Sequence, residues 1–206
     1  MLANLKKRIL RLNYNTCPWW LCFTFDNPAR RLLQNPEQIL GRLLQPGQTV
    51  ADIGCGMGYF TVPMARLVGE GGRIIAVDLQ PEMLDALKRR AARQNLQGRI
   101  HCHLSQPDRI GLAEPVDFAL AFWVLHEVKD PAAFLAEIKR MLKPDGRFLL
   151  VEPKIHVSRA NFQKTVEIAQ SVGLEPIAKP EVSVSRAVLF ALSQSPDHIL
   201  RQQVQA

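Results

Sequence analysis

Val50 to Thr61 reads V-A-D-I-G-C-G-M-G-Y-F-T, and this stretch constrains the fold more than any other. Val50, Ala51 and Ile53 are small or β-branched, which suits a short strand buried on both faces. Asp52 interrupts that apolar run. Gly54, Gly56 and Gly58 then occupy alternate positions. Glycine lets a backbone turn tightly and lets a ligand approach it closely. Phe60, Met64, Ala65 and Val68 follow on one stripe of a helix. Strand, glycine turn and helix form the context in which a glycine motif points to a nucleotide-like ligand.

The glycine spacing separates two ligand classes. The dinucleotide fingerprint G-x-G-x-x-G needs a third glycine that packs helix on strand. Read from Gly54, that position is Tyr59. Read from Gly56, it is Thr61. Neither register works, and the pattern present is D-x-G-x-G-x-G.

A chain of 206 residues suits one α/β domain with a substantial core. The net charge of +7 is uneven: residues 1–44 carry 7 basic and 2 acidic side chains, while the remainder carries 19 basic and 17 acidic. Four scattered cysteines are too few for a disulfide framework. No apolar run approaches the ~18 residues of a membrane span. Cys17 to Phe25 is apolar but short, and it lacks a small-residue cleavage site. A cytoplasmic location is therefore the default expectation. Three parts are expected: an N-terminal helical and aromatic segment over 1–45, a ligand-binding domain over 46–192, and a polar tail over 193–206.

Met1 to Leu12 has the pattern of a basic amphipathic helix, with Leu2, Leu5, Ile9 and Leu12 on one face. It reads as a terminal helix packed on the domain, with nucleic acid or an anionic membrane surface as the alternative partner. Cys17-Pro-Trp-Trp-Leu-Cys22 has a spacing that metal sites rarely use, so no metal is expected. That segment reads either as an apolar anchor or as an aromatic lid over a cleft. Asn27-Pro28 and Asn35-Pro36 each start a helix with an Asn cap and a Pro in the first turn. The second of these helices is expected to reach Leu44. Arg30 and Arg31 in the first read as solvated surface charge, with contact to an anionic acceptor as the alternative.

From Thr49 onward, strands and helices alternate. Strands are expected at 49–53, 73–78, 100–104, 116–123 and 147–152, with Lys143 to Gly146 as a tight turn before the fifth. Helices are expected at 59–68, 81–95, 131–142 and 158–172. Two closing strands, 175–178 and 187–192, have no helix between them and should be antiparallel. The fold class is α/β: a doubly wound, mostly parallel, seven-stranded Rossmann-like sheet with helices on both faces and a reversed final hairpin.

Four motifs in order resemble the class I S-adenosylmethionine-dependent methyltransferases, in the small-molecule branch that includes quinone-biosynthesis enzymes. They are the glycine stretch, Ile75-Ala-Val-Asp-Leu-Gln-Pro-Glu-Met-Leu84, Phe122-Trp-Val-Leu-His-Glu-Val128 and Leu142-Lys-Pro-Asp-Gly-Arg-Phe-Leu-Leu-Val-Glu152. The resemblance implies S-adenosyl-L-methionine as cofactor. It implies Asp52, Gly54, Cys55, Gly56 and Gly58 around the methionine portion, Asp78 on the ribose with Leu79 and Met83 beside it, and Phe122 facing the cofactor. Many relatives carry Gly-Asp after the third strand to meet the adenine. Here Ser105-Gln106 stands in that place, with Asp108 as a possible substitute for the acid.

The resemblance further implies methyl transfer to a small, apolar or aromatic acceptor. His126 is the candidate base, because imidazole titrates near neutral pH. Glu127 borders the same loop, and Glu152 and His156 are the runners-up. Two other readings stand beside this one. One is RNA methylation with docking through the basic N-terminus. The other is a cofactor-binding partner protein without catalysis. A metalloid-methylating role is disfavoured, since no cysteine follows Cys102.

Overall fold

A computed structural model describes residues 28–107 and 109–193. The expected features at Met1 to Leu12 and Cys17 to Phe25, together with Asp108 and most of the polar tail, lie outside the described residues. Two short helices come first, α1 (Pro28–Leu33) and α2 (Pro36–Leu40). The Asn35 side chain caps α2 by accepting from Glu37 N at 3.0 Å and Gln38 N at 3.4 Å. Helix α2 stops at Leu40 instead of reaching Leu44, because the chain loosens into turns at Gly41. Glycine is a poor continuation for so short a helix. Leu40 and Leu44 are nevertheless buried in the same cluster as Val50.

The alternating part comprises β1 (Thr49–Ile53), α3 (Thr61–Leu67), β2 (Arg73–Asp78), α4 (Pro81–Arg93), β3 (Ile100–Leu104), β4 (Val116–Phe122), α5 (Pro131–Met141), β5 (Leu142–Pro153), α6 (Arg159–Ser171), β6 (Leu174–Ala178) and β7 (Ser185–Leu192). These strands form one seven-stranded sheet in the order β3-β2-β1-β4-β5-β7-β6. The pairs among β1 to β5 are parallel, and β7 runs antiparallel to both β5 and β6. The expected reversed hairpin is therefore present, with its second strand inserted beside β5.

The sheet is covered on both faces. Val50 joins Phe60, Met64, Ala65, Val68 and Leu87 on one side. Ala51 and Ile53 join Phe134, Leu135 and Ile138 on the other. Successive strand residues point to opposite faces, so one short apolar strand serves both cores. After β1 the chain builds outward through β2 and β3, then returns to place β4 on the other side of β1. That reversal creates a crevice at the carboxyl ends of β1 and β4, where open α/β sheets bind ligands.

Boundaries around β4 and β5 also move, for physical reasons. The tight turn at Lys143 to Gly146 lies inside β5. Pairing passes from Val116↔Leu142 to Phe118↔Arg147, so the turn is an irregular bulge in a longer strand. Strand β4 ends at Phe122, one residue early, because Trp123 takes a left-handed φ of 63°. Its N–H still donates to Val151 O at 2.7 Å, and the chain then leaves the sheet.

Candidate functional site

The carboxyl ends of β1, β2, β4 and β5 open on a cavity of about 750 Å³. The glycine turn forms part of its wall. Gly54 N and Cys55 N both donate to Val77 O, at 2.8 and 3.0 Å. Gly54, Gly56 and Gly58 all have left-handed φ, at 73°, 53° and 88°. Their surroundings differ. A Cβ on Gly54 would lie 2.2 Å from Val124 Cγ2, so that glycine permits the β4 loop to close over the turn. A Cβ on Gly58 would lie 2.4 Å from Leu87 Cδ1, and Gly58 does not line the cavity. It seats α4 against the turn. A Cβ on Gly56 would meet nothing within 4 Å, and Gly56 does line the cavity. Gly56→Ala is accordingly expected to lower stability by only about 1–2 kcal/mol, the ordinary cost of a left-handed alanine. It should weaken cofactor binding disproportionately. Paired denaturant melts and binding titrations check this separation.

Two buried acids face the cavity. Asp52 accepts a short hydrogen bond from the Thr61 hydroxyl and is 2% exposed. Burial pushes its pKa up to about 7, against the lowering effect of Thr61 and with a further push from Asp78. Asp78 ends β2. Its Oδ2 accepts from Gly56 N at 2.8 Å and its Oδ1 from Gln80 N at 2.9 Å. Burial raises its pKa, and these backbone donors oppose the rise. Each carboxylate oxygen has a second lone pair, so Asp78 can still accept from paired hydroxyls. Leu79, Met83, Ser105 and Gln106 continue the wall beyond it. Ser105 N donates to Asp78 O, and Gln106 forms a two-bond bridge with the backbone of Arg109. Cys55 also lines the cavity, with its thiol held well above its usual pKa by burial.

The wall after β4 carries the polar chemistry. His126 sits in a single 3₁₀ turn, Leu125–Glu127. Its Nδ1 lies 2.7 Å from Glu152 Oε2, while Glu152 Oε1 accepts from Leu125 N at 3.0 Å. Glu152 is 2% exposed and fixed at both oxygens. Burial alone would lower the His126 pKa. The hydrogen bond and charge of Glu152, with Glu127 adding, outweigh it and raise the pKa above 6.5. His156 stacks on His126 with ring centroids 5.8 Å apart. His126, Glu127 and His156 line the cavity; Glu152 stands behind His126.

The remaining wall is aromatic. Phe60 and Phe122 have centroids 4.2 Å apart, and Tyr59 and Trp123 flank them. Arg30 lines the same cavity, with Cζ 4.3 Å from the Tyr59 centroid and 5.0 Å from that of Trp123. The expectation that Arg30 is solvated surface charge fails, because α1 packs its guanidinium onto these rings. Arg31 keeps the expected exposed position and pairs with Glu37 at 3.1 Å.

Known proteins resemble the chain along this same core. The family model described as "Methyltransferase domain" matches residues 51–150. A demethylmenaquinone methyltransferase from Lactobacillus johnsonii is 34% identical over 112 residues, covering 53% of this chain and 45% of that protein. A SAM-dependent methyltransferase from Aquifex aeolicus superposes with a TM-score of 0.76 at 25% identity, covering 85% of this chain and 98% of that one. Residues 51–150 match a methyltransferase domain, and along this core the chain is similar to class I S-adenosylmethionine-dependent methyltransferases. A ubiquinone biosynthesis O-methyltransferase from Xanthomonas campestris is a further relative of this chain, at 28% identity over 138 residues. The match covers 64% of this chain and 54% of that protein. The chain spans about half the length of these curated relatives.

The cavity fits the cofactor of the family, S-adenosylmethionine. Gly56 leaves open the space that a side chain would fill, and Asp78 presents a carboxylate beside it. Together with Asp52, Gly54, Cys55, Leu79, Met83, Ser105, Gln106 and Phe122, these residues could hold the cofactor within one cavity. The sequence did not reveal that Glu152 backs His126. The two are 26 positions apart, His126 on the turn after β4 and Glu152 near the end of β5, and only the β4–β5 pairing brings them together.

Proposed function

We propose that this methyltransferase moves the methyl group of S-adenosylmethionine to a small, apolar or aromatic acceptor. The observation that carries this reading is a single cavity lined by the glycine turn, Asp78, an aromatic wall and the Glu152-backed His126. Asp78 takes the ribose hydroxyls, and the backbone at Gly54 to Gly56 admits the methionine portion. Gly58, behind the wall, supports the turn. Ser105 and Gln106 meet the adenine with neutral groups. Phe122 and Phe60 form an apolar face that excludes water and orients a flat acceptor. The partner in this reading is a small molecule, and the groups named here all lie within residues 46–192.

The cofactor, when bound, would supply an electrophilic sulfonium methyl to the acceptor lone pair, with its thioether as the leaving group. The acceptor proton goes to His126. With Nδ1–H donating to Glu152, the lone pair lies on Nε2, and that nitrogen accepts the proton. Glu152 then stabilises the imidazolium without itself taking the proton.

His126 accepts a proton only when neutral. Its raised pKa places the acid limb of the pH–rate profile above that of an isolated histidine. Glu152→Gln removes the charge that raises it, so the acid limb should move to lower pH while the maximal rate falls. A limb that stays in place would remove His126 from this role. Labelled-methyl transfer from S-adenosylmethionine to a panel of phenols, quinols and amines tests the function. Product on a member of this panel is expected. Methylation confined to RNA would overturn the small-acceptor reading.

A further inference from the structure

We propose that His156 is a positioning residue that fixes the plane of the His126 ring. This deepens the methyltransferase reading above and rests on it for the task of that ring. A hydrogen bond at one edge does not fix an imidazole. The outer torsion of a histidine side chain is broad, so the ring can rock about an anchored nitrogen. Glu152 Oε2 holds His126 at Nδ1, 2.7 Å away. The His156 ring supplies the restraint on the face, with centroids 5.8 Å apart and planes 10° from parallel. Flat rings hold each other by offset stacking at such separations. A carboxylate thus grips the edge of His126 and a ring grips its face, and both come from one short stretch, Glu152 to His156.

His156 is exposed, yet the turn that carries it is held. Val157 N and His156 N both donate to Pro153 O, at 2.9 and 3.3 Å. Lys154 N donates to Val184 O at 2.9 Å, and Arg186 Nη1 donates to Val157 O at 2.7 Å. Val157 is buried, and the Ser158 side chain then caps α6 by accepting from Asn161 N at 3.1 Å. The turn is tied to the start of β7 on one side and to α6 on the other. A ring presented from so fixed a backbone has only its own side-chain torsions left to order.

The chemistry explains why the plane matters. With Nδ1–H donated to Glu152, the lone pair of Nε2 lies in the plane of the ring. Tilting that plane swings the lone pair away from the acceptor, and proton transfer needs the two heavy atoms within about 2.6–3.2 Å. The charged and titratable groups around His126, among the described residues, are Glu127 on its own turn, Glu152 on β5 and His156 on the turn after β5. Of these three, His156 is the one with a flat face.

The test compares wild type with His156→Ala and His156→Phe, each checked by a thermal melt. Nitrogen-15 NMR of labelled histidine, assigned against His126→Asn, reads the His126 tautomer and the exchange of its Nδ1 proton with water. The measurement is made on the free protein and with S-adenosylhomocysteine. In wild type the Nδ1–H form should dominate. His156→Ala should speed exchange of that proton about twofold to tenfold, the opening expected from loss of one stacked ring, and should populate the Nε2–H form. His156→Phe restores a flat face and should recover most of the loss. Kinetics on the phenols and quinols that accept a methyl group should follow, with kcat reduced in His156→Ala and KM little changed. A tautomer and exchange rate that His156→Ala leaves unmoved would overturn the proposal. So would a His156→Phe variant that behaves like His156→Ala, or a raised KM at constant kcat, which would make His156 an acceptor contact. Each of those results leaves the methyltransferase reading standing. Failure of wild type to bind S-adenosylhomocysteine would remove that reading, while the NMR result on the ring would still stand.

Discussion

His126→Ala is expected to lower kcat by about 10²–10⁴, the usual contribution of a positioned general base, while leaving cofactor affinity nearly unchanged. The asymmetry follows from position. His126 stands on the turn after β4 and shares its bond with Glu152, while the groups fitted to the cofactor lie on the glycine turn and at the end of β2. His126→Asn is the sharper variant, because it keeps a polar group of similar reach without a titrating nitrogen. Both should lose the acid limb of the pH profile. A variant with full kcat would mean that the acceptor arrives already deprotonated or needs no base. A variant with full kcat but a raised KM would make His126 a binding group.

Asp78→Ala is expected to weaken S-adenosylhomocysteine binding by roughly 10²–10⁴, from two hydrogen bonds to a charged group at about 1.5–3 kcal/mol each. Part of the loss is indirect. The Asp78 carboxylate also holds Gly56 N and Gln80 N, so its removal frees one end of the glycine turn. Asp78→Asn retains one acceptor oxygen and should fall between wild type and alanine. Isothermal titration of the three proteins gives the ranking. Undiminished binding by Asp78→Ala would displace the ribose from this carboxylate.

The parts of this site that were legible in the sequence are those fixed by local rules. A strand that ends in alternate glycines has few backbone solutions, and the expected tight turn is present, with Gly54, Gly56 and Gly58 at left-handed φ. Asp78 is legible for the same reason, since it terminates a buried strand whose register is set by its apolar run. The helical stripe of Phe60, Met64, Ala65 and Val68 is buried as its spacing implies. What the sequence concealed depends on distant packing. Nothing local distinguishes Arg30 from Arg31, yet one lies on the Tyr59 ring and the other on the surface. Nothing near Glu152 announces that it will stand behind His126. Gly58 illustrates a subtler limit. Its conformation follows from the motif, but only the contact with Leu87 shows that it supports α4 rather than facing the ligand.

In the function proposed above, the glycine turn and Asp78 form an S-adenosylmethionine site continuous with an acceptor cavity. Calorimetric titration of the wild-type chain with S-adenosylhomocysteine tests it most directly. Saturable binding of one ligand per chain is expected, severely weakened by Asp78→Ala and weakened by Gly56→Ala. Absence of binding to wild type, or binding that both substitutions leave intact, would contradict it.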